Sequence, residues 1–117
     1  MFVKEGVVFT ADRGVLEGVT RKSVFLGCKK ARGGGAVRGS PVEMAWRCDE
    51  CFVCTTAGGV MPITRIDGSP VGKGTVGEVT GRIWDGYWGM HWEEGFRFAV
   101  DYSEVGAGCL DSTEAAV

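Results

Sequence analysis

Two short turns, Gly18-Val19-Thr20 and Thr55-Thr56-Ala57, carry the residue types best suited to chemistry in this chain. Each offers backbone N–H groups and a hydroxyl, the donors that a phosphate oxygen accepts from. Val19 and Thr20 stand where an apolar pattern predicts a helix, so their free N–H groups would lie at its positive end. Such groups anchor an anion and transform nothing. The plainer reading of Thr55-Thr56 is an ordinary Ser/Thr turn closed on its own backbone.

Three further patterns invite sharper readings. Cys48, Cys51 and Cys54 are spaced C-x2-C-x2-C, which suggests zinc or an iron–sulfur cluster. A closed site needs a fourth ligand, and no pattern places Cys28 or His91 there. Strand alternation would also point Cys51 away from Cys48 and Cys54, so free cysteines are expected and no metal. Gly72-Lys73-Gly74-Thr75-Val76-Gly77 matches a dinucleotide fingerprint literally. A hairpin arm precedes it and no parallel strand follows, so it reads as an approach to the helix at Glu78. His91, the only histidine, falls near a helix end, where capping or a surface role is expected. Trp84, Tyr87, Trp88 and Trp92 recur at helical spacing and predict core or dimer surface more than a stacking platform.

The elements that must hold these residues are short. Phe2-Val3 and Val7-Val8-Phe9 flank Gly6 as a tight hairpin. A helix runs from near Thr20 to about Ala31, capped by Thr20 or Ser23. Pro41 opens a helical turn through Glu43, Met44 and Trp46, with proline at its first position. Cys51 to Cys54 reads as a buried strand ending in the Thr55-Thr56 turn, and Val60 to Ile66 as a second strand. Asp67-Gly68 marks a hairpin whose return arm begins at Val71. Glu78 to about Met90 is a helix that buries Val79, Ile83, Tyr87 and Met90. Gly27, Gly33, Gly34, Gly35 and Gly39 weaken the stretch around them, each by roughly 0.5–1 kcal/mol inside an element. Residues 1–102 form one domain, and the small, acidic tail 103–117 is expected to be disordered.

Composition narrows the classes. The chain has 117 residues, 44% hydrophobic and 24% charged, with 13 basic and 15 acidic residues and a net charge of −2. That balance argues against nucleic acid or an anionic membrane as partner, and the apolar runs are far too short to span a bilayer. Met1 to Glu5 carries no apolar signal region, and the five cysteines then suggest reduced thiols and a cytoplasmic setting.

With these elements placed, three strings carry a resemblance. They are Phe9-Thr10-Ala11-Asp12-Arg13-Gly14-Val15-Leu16-Glu17-Gly18-Val19-Thr20-Arg21-Lys22-Ser23-Val24, Cys54-Thr55-Thr56-Ala57-Gly58-Gly59-Val60-Met61-Pro62-Ile63-Thr64, and Ile83-Trp84-Asp85-Gly86-Tyr87-Trp88. In order and spacing the chain resembles the C-terminal part of a class IV, fold-type IV, pyridoxal-phosphate (PLP) aminotransferase. It is most similar to fungal-type (R)-selective amine transaminases, relatives of branched-chain and D-amino-acid aminotransferases. The resemblance implies a mixed α/β fold, part of the large C-terminal domain of that architecture. It also implies PLP as cofactor, a primary amine or amino acid and a keto acid as substrates, ping-pong amino transfer, and a homodimer.

Carried over residue by residue, the resemblance assigns the cofactor phosphate to Leu16, Val19, Thr20, Thr55 and Thr56, and a substrate wall to Thr55 and Ala57. Gly58 and Gly59 would let the backbone pass close to the ligand. The family also needs a lysine that bonds the cofactor aldehyde and a carboxylate that protonates its ring. Both are implied to lie upstream of the position matched by Met1. Lys4, Lys22, Lys29, Lys30 and Lys73 match none of the family's catalytic positions, and Lys22 would face away from the phosphate turn. The chain is therefore expected to be a fragment, inactive alone. A second reading, of a different class, is a non-catalytic remnant that keeps a phosphate socket.

Overall fold

In the computed structural model, which describes residues 1–30 and 39–103, the first hairpin forms as the sequence predicts. Glu5 (φ 50°) and Gly6 (φ 75°) both take left-handed backbone, the pairing that a two-residue type I′ turn requires. Its arms, β1 (Phe2–Lys4) and β2 (Val7–Phe9), set Val3 opposite Val8. A loop then leads to α1 (Val19–Lys30), whose first helical bond runs from Lys22 N–H to the Gly18 carbonyl at 3.1 Å. The N–H groups of Val19, Thr20 and Arg21 therefore precede any intrahelical acceptor. The expectations for Ala31, for Gly33-Gly34-Gly35 and for the tail beyond Ser103 lie outside the described residues.

Pro41 precedes a short 3-10 helix (Val42–Trp46) and does not occupy its first position, because its ψ of 149° keeps it extended. β3 (Glu50–Thr55) then pairs with β1 on one edge and with β4 (Gly59–Ile63) on the other, both antiparallel. The four-stranded order is β2-β1-β3-β4. The single strand expected over Val60 to Ile66 is broken at Thr64. Beyond Ile63, opposite Cys51, β4 is no longer paired with β3. The Thr64 carbonyl accepts from Val71 N–H at 2.9 Å. A separate ribbon follows, β5 (Arg65–Ile66) with β6 (Ser69–Pro70), turning on Asp67 (φ 48°) and Gly68 (φ 79°). The return arm is thus Ser69-Pro70. Val71, expected to begin it, is buried beyond the arm.

α2 (Glu78–Met90) lies beside α1 on one face of the sheet. Between helices and strands sits the larger core: Val24 and Cys28 from α1, Ile83, Tyr87 and Met90 from α2, and Val3, Val8, Phe52 and Val60 from the sheet. Val79 is only partly buried against it. The opposite face holds a smaller cluster of Cys48, Cys51 and Val71, joined by Met44 and Ile66. This corrects the expected cysteine geometry. Cys48 precedes β3, so strand alternation does not reach it and it packs beside Cys51, while Cys54 packs against the larger core.

One carboxylate ties the two layers together. Glu50, at the start of β3, accepts from Val79 N–H (3.1 Å) and Thr80 N–H (2.7 Å) at the start of α2. Gly77, the cap position, offers no side chain, and a Cβ there would collide with the Glu50 carboxyl group. Glu50 thus does from a distant strand what a capping residue does locally. Glu50→Ala is expected to lower stability by about 2 kcal/mol, since two charge-assisted bonds to backbone donors are lost together. Urea unfolding should register the loss as a lower midpoint with an unchanged slope. Nearby, Asp49 bonds Glu5 N–H (2.7 Å) and Lys4 Nζ (2.9 Å), clasping the first hairpin to β3. The Glu5 N–H bond, with help from Lys4, holds the Asp49 carboxyl below its usual range.

Candidate functional site

Leu16, Val19, Thr20, Thr55 and Thr56, far apart in sequence, line one cavity of about 390 Å³. Topology explains the meeting. β1 and its flank pair with β3 only as far as Phe52, whose N–H donates to the Met1 carbonyl at 3.0 Å. Residues 53–56 run past that pairing, and the start of α1 faces them across the gap, with Thr10 in the wall. The helix contributes its free N–H groups at this place.

The two threonines of the second turn differ. Thr55 Oγ1 accepts from Gly58 N–H at 2.8 Å, so the ordinary Ser/Thr turn is present and engages that oxygen. The Thr55 proton stays free to donate, because accepting uses only a lone pair. Thr56 and Thr20 make no side-chain hydrogen bond among the described residues, which leaves both hydroxyls for the cavity. At its rim Leu16 is 89% exposed and Val19 81% exposed, an unusual state for two large apolar side chains.

Ala57 is exposed in the turn and is not part of this wall. The expectation for Gly59 needs correction. Its φ is 63°, and a Cβ would lie 2.7 Å from the Tyr87 ring and 2.9 Å from the Trp88 ring. The close approach it permits is to α2, since Gly59 opens β4 directly beneath that helix. At Gly58 a Cβ would meet Met61 Sδ at 2.6 Å, so that glycine serves the turn.

Sequence reasoning missed Arg21, which also lines the cavity. Its signal was position alone, directly after Thr20 on the first turn of α1. Arg21 Nη2 donates to the Ala11 carbonyl at 3.0 Å, and the guanidinium lies over the Phe25 ring at 5.2 Å from its centroid. Burial pushes the Cys54 thiol on the opposite wall up, and the chain's terminal ammonium and Arg21 pull it partly back. Among the described residues no lysine lines the cavity: Lys4 holds Asp49, and Lys22, Lys29 and Lys73 are exposed.

The remaining motifs find structural places. The loop of Gly72 to Gly77 borders a cavity of about 480 Å³, but the Glu50 carboxylate already takes the N–H groups that begin α2. His91 ends α2, and its Nδ1 donates to the Tyr87 carbonyl at 3.0 Å. Of the aromatic set only Tyr87 is core, while Trp84, Trp88 and Trp92 remain 48%, 40% and 76% exposed.

The family model described as "Amino-transferase class IV" matches residues 1–66. The branched-chain-amino-acid aminotransferase of Salmonella typhimurium is 35% identical over 92 residues, covering 75% of this chain and 29% of that protein. The D-alanine aminotransferase of Staphylococcus epidermidis is 31% identical over 87 residues, covering 73% of this chain and 31% of its own length. The branched-chain aminotransferase structure from Escherichia coli superposes with a TM-score of 0.77 at 28% identity, over 88% of this chain and 37% of that one. A branched-chain amino acid aminotransferase from T.th., solved with pyridoxamine 5'-phosphate, gives 0.72 at 34% identity, over 76% of this chain and 30% of that one. The chain thus spans about a third of the length of the proteins it matches and has the fold of part of a fold-type IV domain. From the helix start at Val19 to the turn at Thr56, this is a chain that belongs to the class IV aminotransferases.

Proposed function

We propose that this chain supplies the phosphate cup of a PLP-dependent aminotransferase. One observation carries the reading: the start of α1 and the Thr55-Thr56 turn line the same cavity. The donor set there fits a phosphate. It comprises backbone N–H groups at a helix start and the hydroxyls of Thr20 and Thr56, with no described carboxylate in the wall to repel an anion. Leu16 and Val19 offer apolar surface at the rim, where the cofactor's flat ring would rest. When bound, PLP supplies the electron sink through which an amino group leaves an amino acid or amine and passes to a keto acid. The residues of this chain hold and orient it. Thr55 keeps the turn closed through Gly58, and Thr56 and Thr20 donate to phosphate oxygens from opposite walls. The lysine that bonds the cofactor aldehyde lies outside this chain.

The complex with pyridoxamine 5'-phosphate named for the T.th. relative supports the same cofactor here. The likeness to branched-chain and D-alanine aminotransferases supports an amino acid as donor. The narrower reading, an (R)-selective amine transaminase of fungal type, rests on the Cys54 to Thr64 and Ile83 to Trp88 strings, with Thr55 and Ala57 toward the substrate. A homodimer in the cytoplasm completes this proposal.

Titration with PLP tests the cup. Thr20→Val with Thr56→Val keeps side-chain shape and removes both hydroxyls, so affinity should fall by about ten- to a hundred-fold. No PLP binding by the native chain, or unchanged affinity in the double variant, would overturn the reading. Borohydride reduction of the PLP-treated chain should label no single lysine stoichiometrically, and one fully labelled lysine would place the catalytic amine inside this chain. The absence of a described lysine from the wall favours a second reading, a non-catalytic phosphate-binding remnant. Amino transfer restored by mixing with a lysine-bearing polypeptide encoded next to this one would exclude it.

A further inference from the structure

We propose that Arg21 is the fixed cation that makes this cavity select a doubly charged phosphate. The inference rests on the phosphate-cup reading and goes beyond it by assigning the charge. Four observations converge. Among the described residues Arg21 is the only charged side chain in the cavity wall. Its Nε is buried and has no hydrogen-bond partner. No described carboxylate is paired with it: Asp12 lies by Arg13, Asp49 by Lys4, Glu78 by Arg82, and Glu50 caps α2. Finally, α1 has no acidic residue in its first turn and carries Arg21 and Lys22 there instead.

That last feature runs against elementary electrostatics. A helix start carries roughly half a positive charge and favours carboxylates, so a half-buried guanidinium adds like charge to like. The arrangement becomes favourable when an anion faces both. Half a charge from the helix and one from Arg21 sum to about +1.5, close to the −1.5 to −2 of a phosphate monoester near neutrality. The guanidinium is pre-positioned for this, held by the Ala11 carbonyl and the Phe25 ring. Together with the chain's terminal ammonium it opposes the upward push of burial on the Cys54 thiol across the cavity.

A purely structural role, tethering the loop through Ala11, is the competing account, and charge separates the two. Arg21→Gln keeps an amide donor on a shorter stem and loses the charge, whereas Arg21→Lys keeps the charge. Inorganic phosphate should be titrated calorimetrically into the full chain and both variants from acid to mildly alkaline pH, with thermal midpoints measured alongside. Native binding should tighten as inorganic phosphate loses its second proton, at about pH 7 and somewhat above the value for a phosphate monoester. Arg21→Gln should bind about ten-fold more weakly and lose that tightening, while Arg21→Lys stays within about three-fold and keeps it. A folded Arg21→Gln chain with native affinity and pH response would overturn the assignment. So would an Arg21→Lys chain as weak as the glutamine variant. If Arg21→Gln does not fold, the pH response of Arg21→Lys decides alone: present, it supports the charge, and flat, it removes it. A native chain that binds no phosphate at any pH sinks the cup itself and Arg21's role with it, whereas native binding with unaltered variants sinks only the latter.

Discussion

Phe52→Ala is expected to remove about 3–5 kcal/mol of stability. Phe52 is wholly buried in β3, the strand that pairs with β1 and β4, and packs in the cluster beneath both helices. Among the described residues its side chain is the largest that is fully buried, and its neighbours Val3, Val24 and Val60 are too short to close over the space it would vacate. A truncation here opens a cavity at the junction of every element that positions the site. Against total stabilities of about 5–15 kcal/mol for domains of this size, most of the folded population is at risk. Urea unfolding should show a midpoint lowered steeply, while Phe52→Leu, which keeps most of the volume, should lose less than about 2 kcal/mol. A loss below about 1 kcal/mol for Phe52→Ala would show that the sheet–helix core does not stabilise the chain.

The parts of this fold that could be read in the sequence are those written in neighbouring residues. Glu5-Gly6 and Asp67-Gly68 each turn the chain with two left-handed residues, a property of two positions alone. Ile83, Tyr87 and Met90 announce α2 because helical spacing is itself the signal. What escaped is what arises between segments. Nothing near Glu50 tells that its carboxylate caps a helix that begins at Glu78. Nothing near Thr64 tells that its carbonyl turns away from the sheet to Val71. The site divides along the same line. Thr20 and Thr56 were legible because a hydroxyl beside free N–H groups is a local arrangement. Arg21 was not, because a basic residue on a helix surface reads as solvated until the opposite wall is known.

Gly59→Ala should damage stability and phosphate binding together, for one geometric reason. Gly59 has a φ of 63°, where an ordinary residue costs roughly 1–2 kcal/mol. The added methyl would also stand 2.7 Å from the Tyr87 ring and 2.9 Å from the Trp88 ring, closer than carbon atoms tolerate. Tyr87 is buried in the core and Trp88 packs edge-on against it at 5.3 Å, so the start of β4 must move instead. That shift adds roughly a further 1–3 kcal/mol, for a total of about 2–5. Gly59 is the register partner of Thr55, at the mouth of the turn that carries Thr56. Moving one end of a closed turn moves its hydroxyls, and a displacement of about 1 Å degrades hydrogen bonds to a fixed anion steeply. Phosphate affinity should therefore fall by roughly ten-fold or more in chains that remain folded, although Gly59 touches no part of the cavity. Gly81→Ala, within α2, offers the control, since a Cβ there meets nothing within 4 Å. It should leave affinity unchanged and raise stability slightly. Equal phosphate affinity in Gly59→Ala and the native chain would mean that the turn is held by something other than its contact with α2.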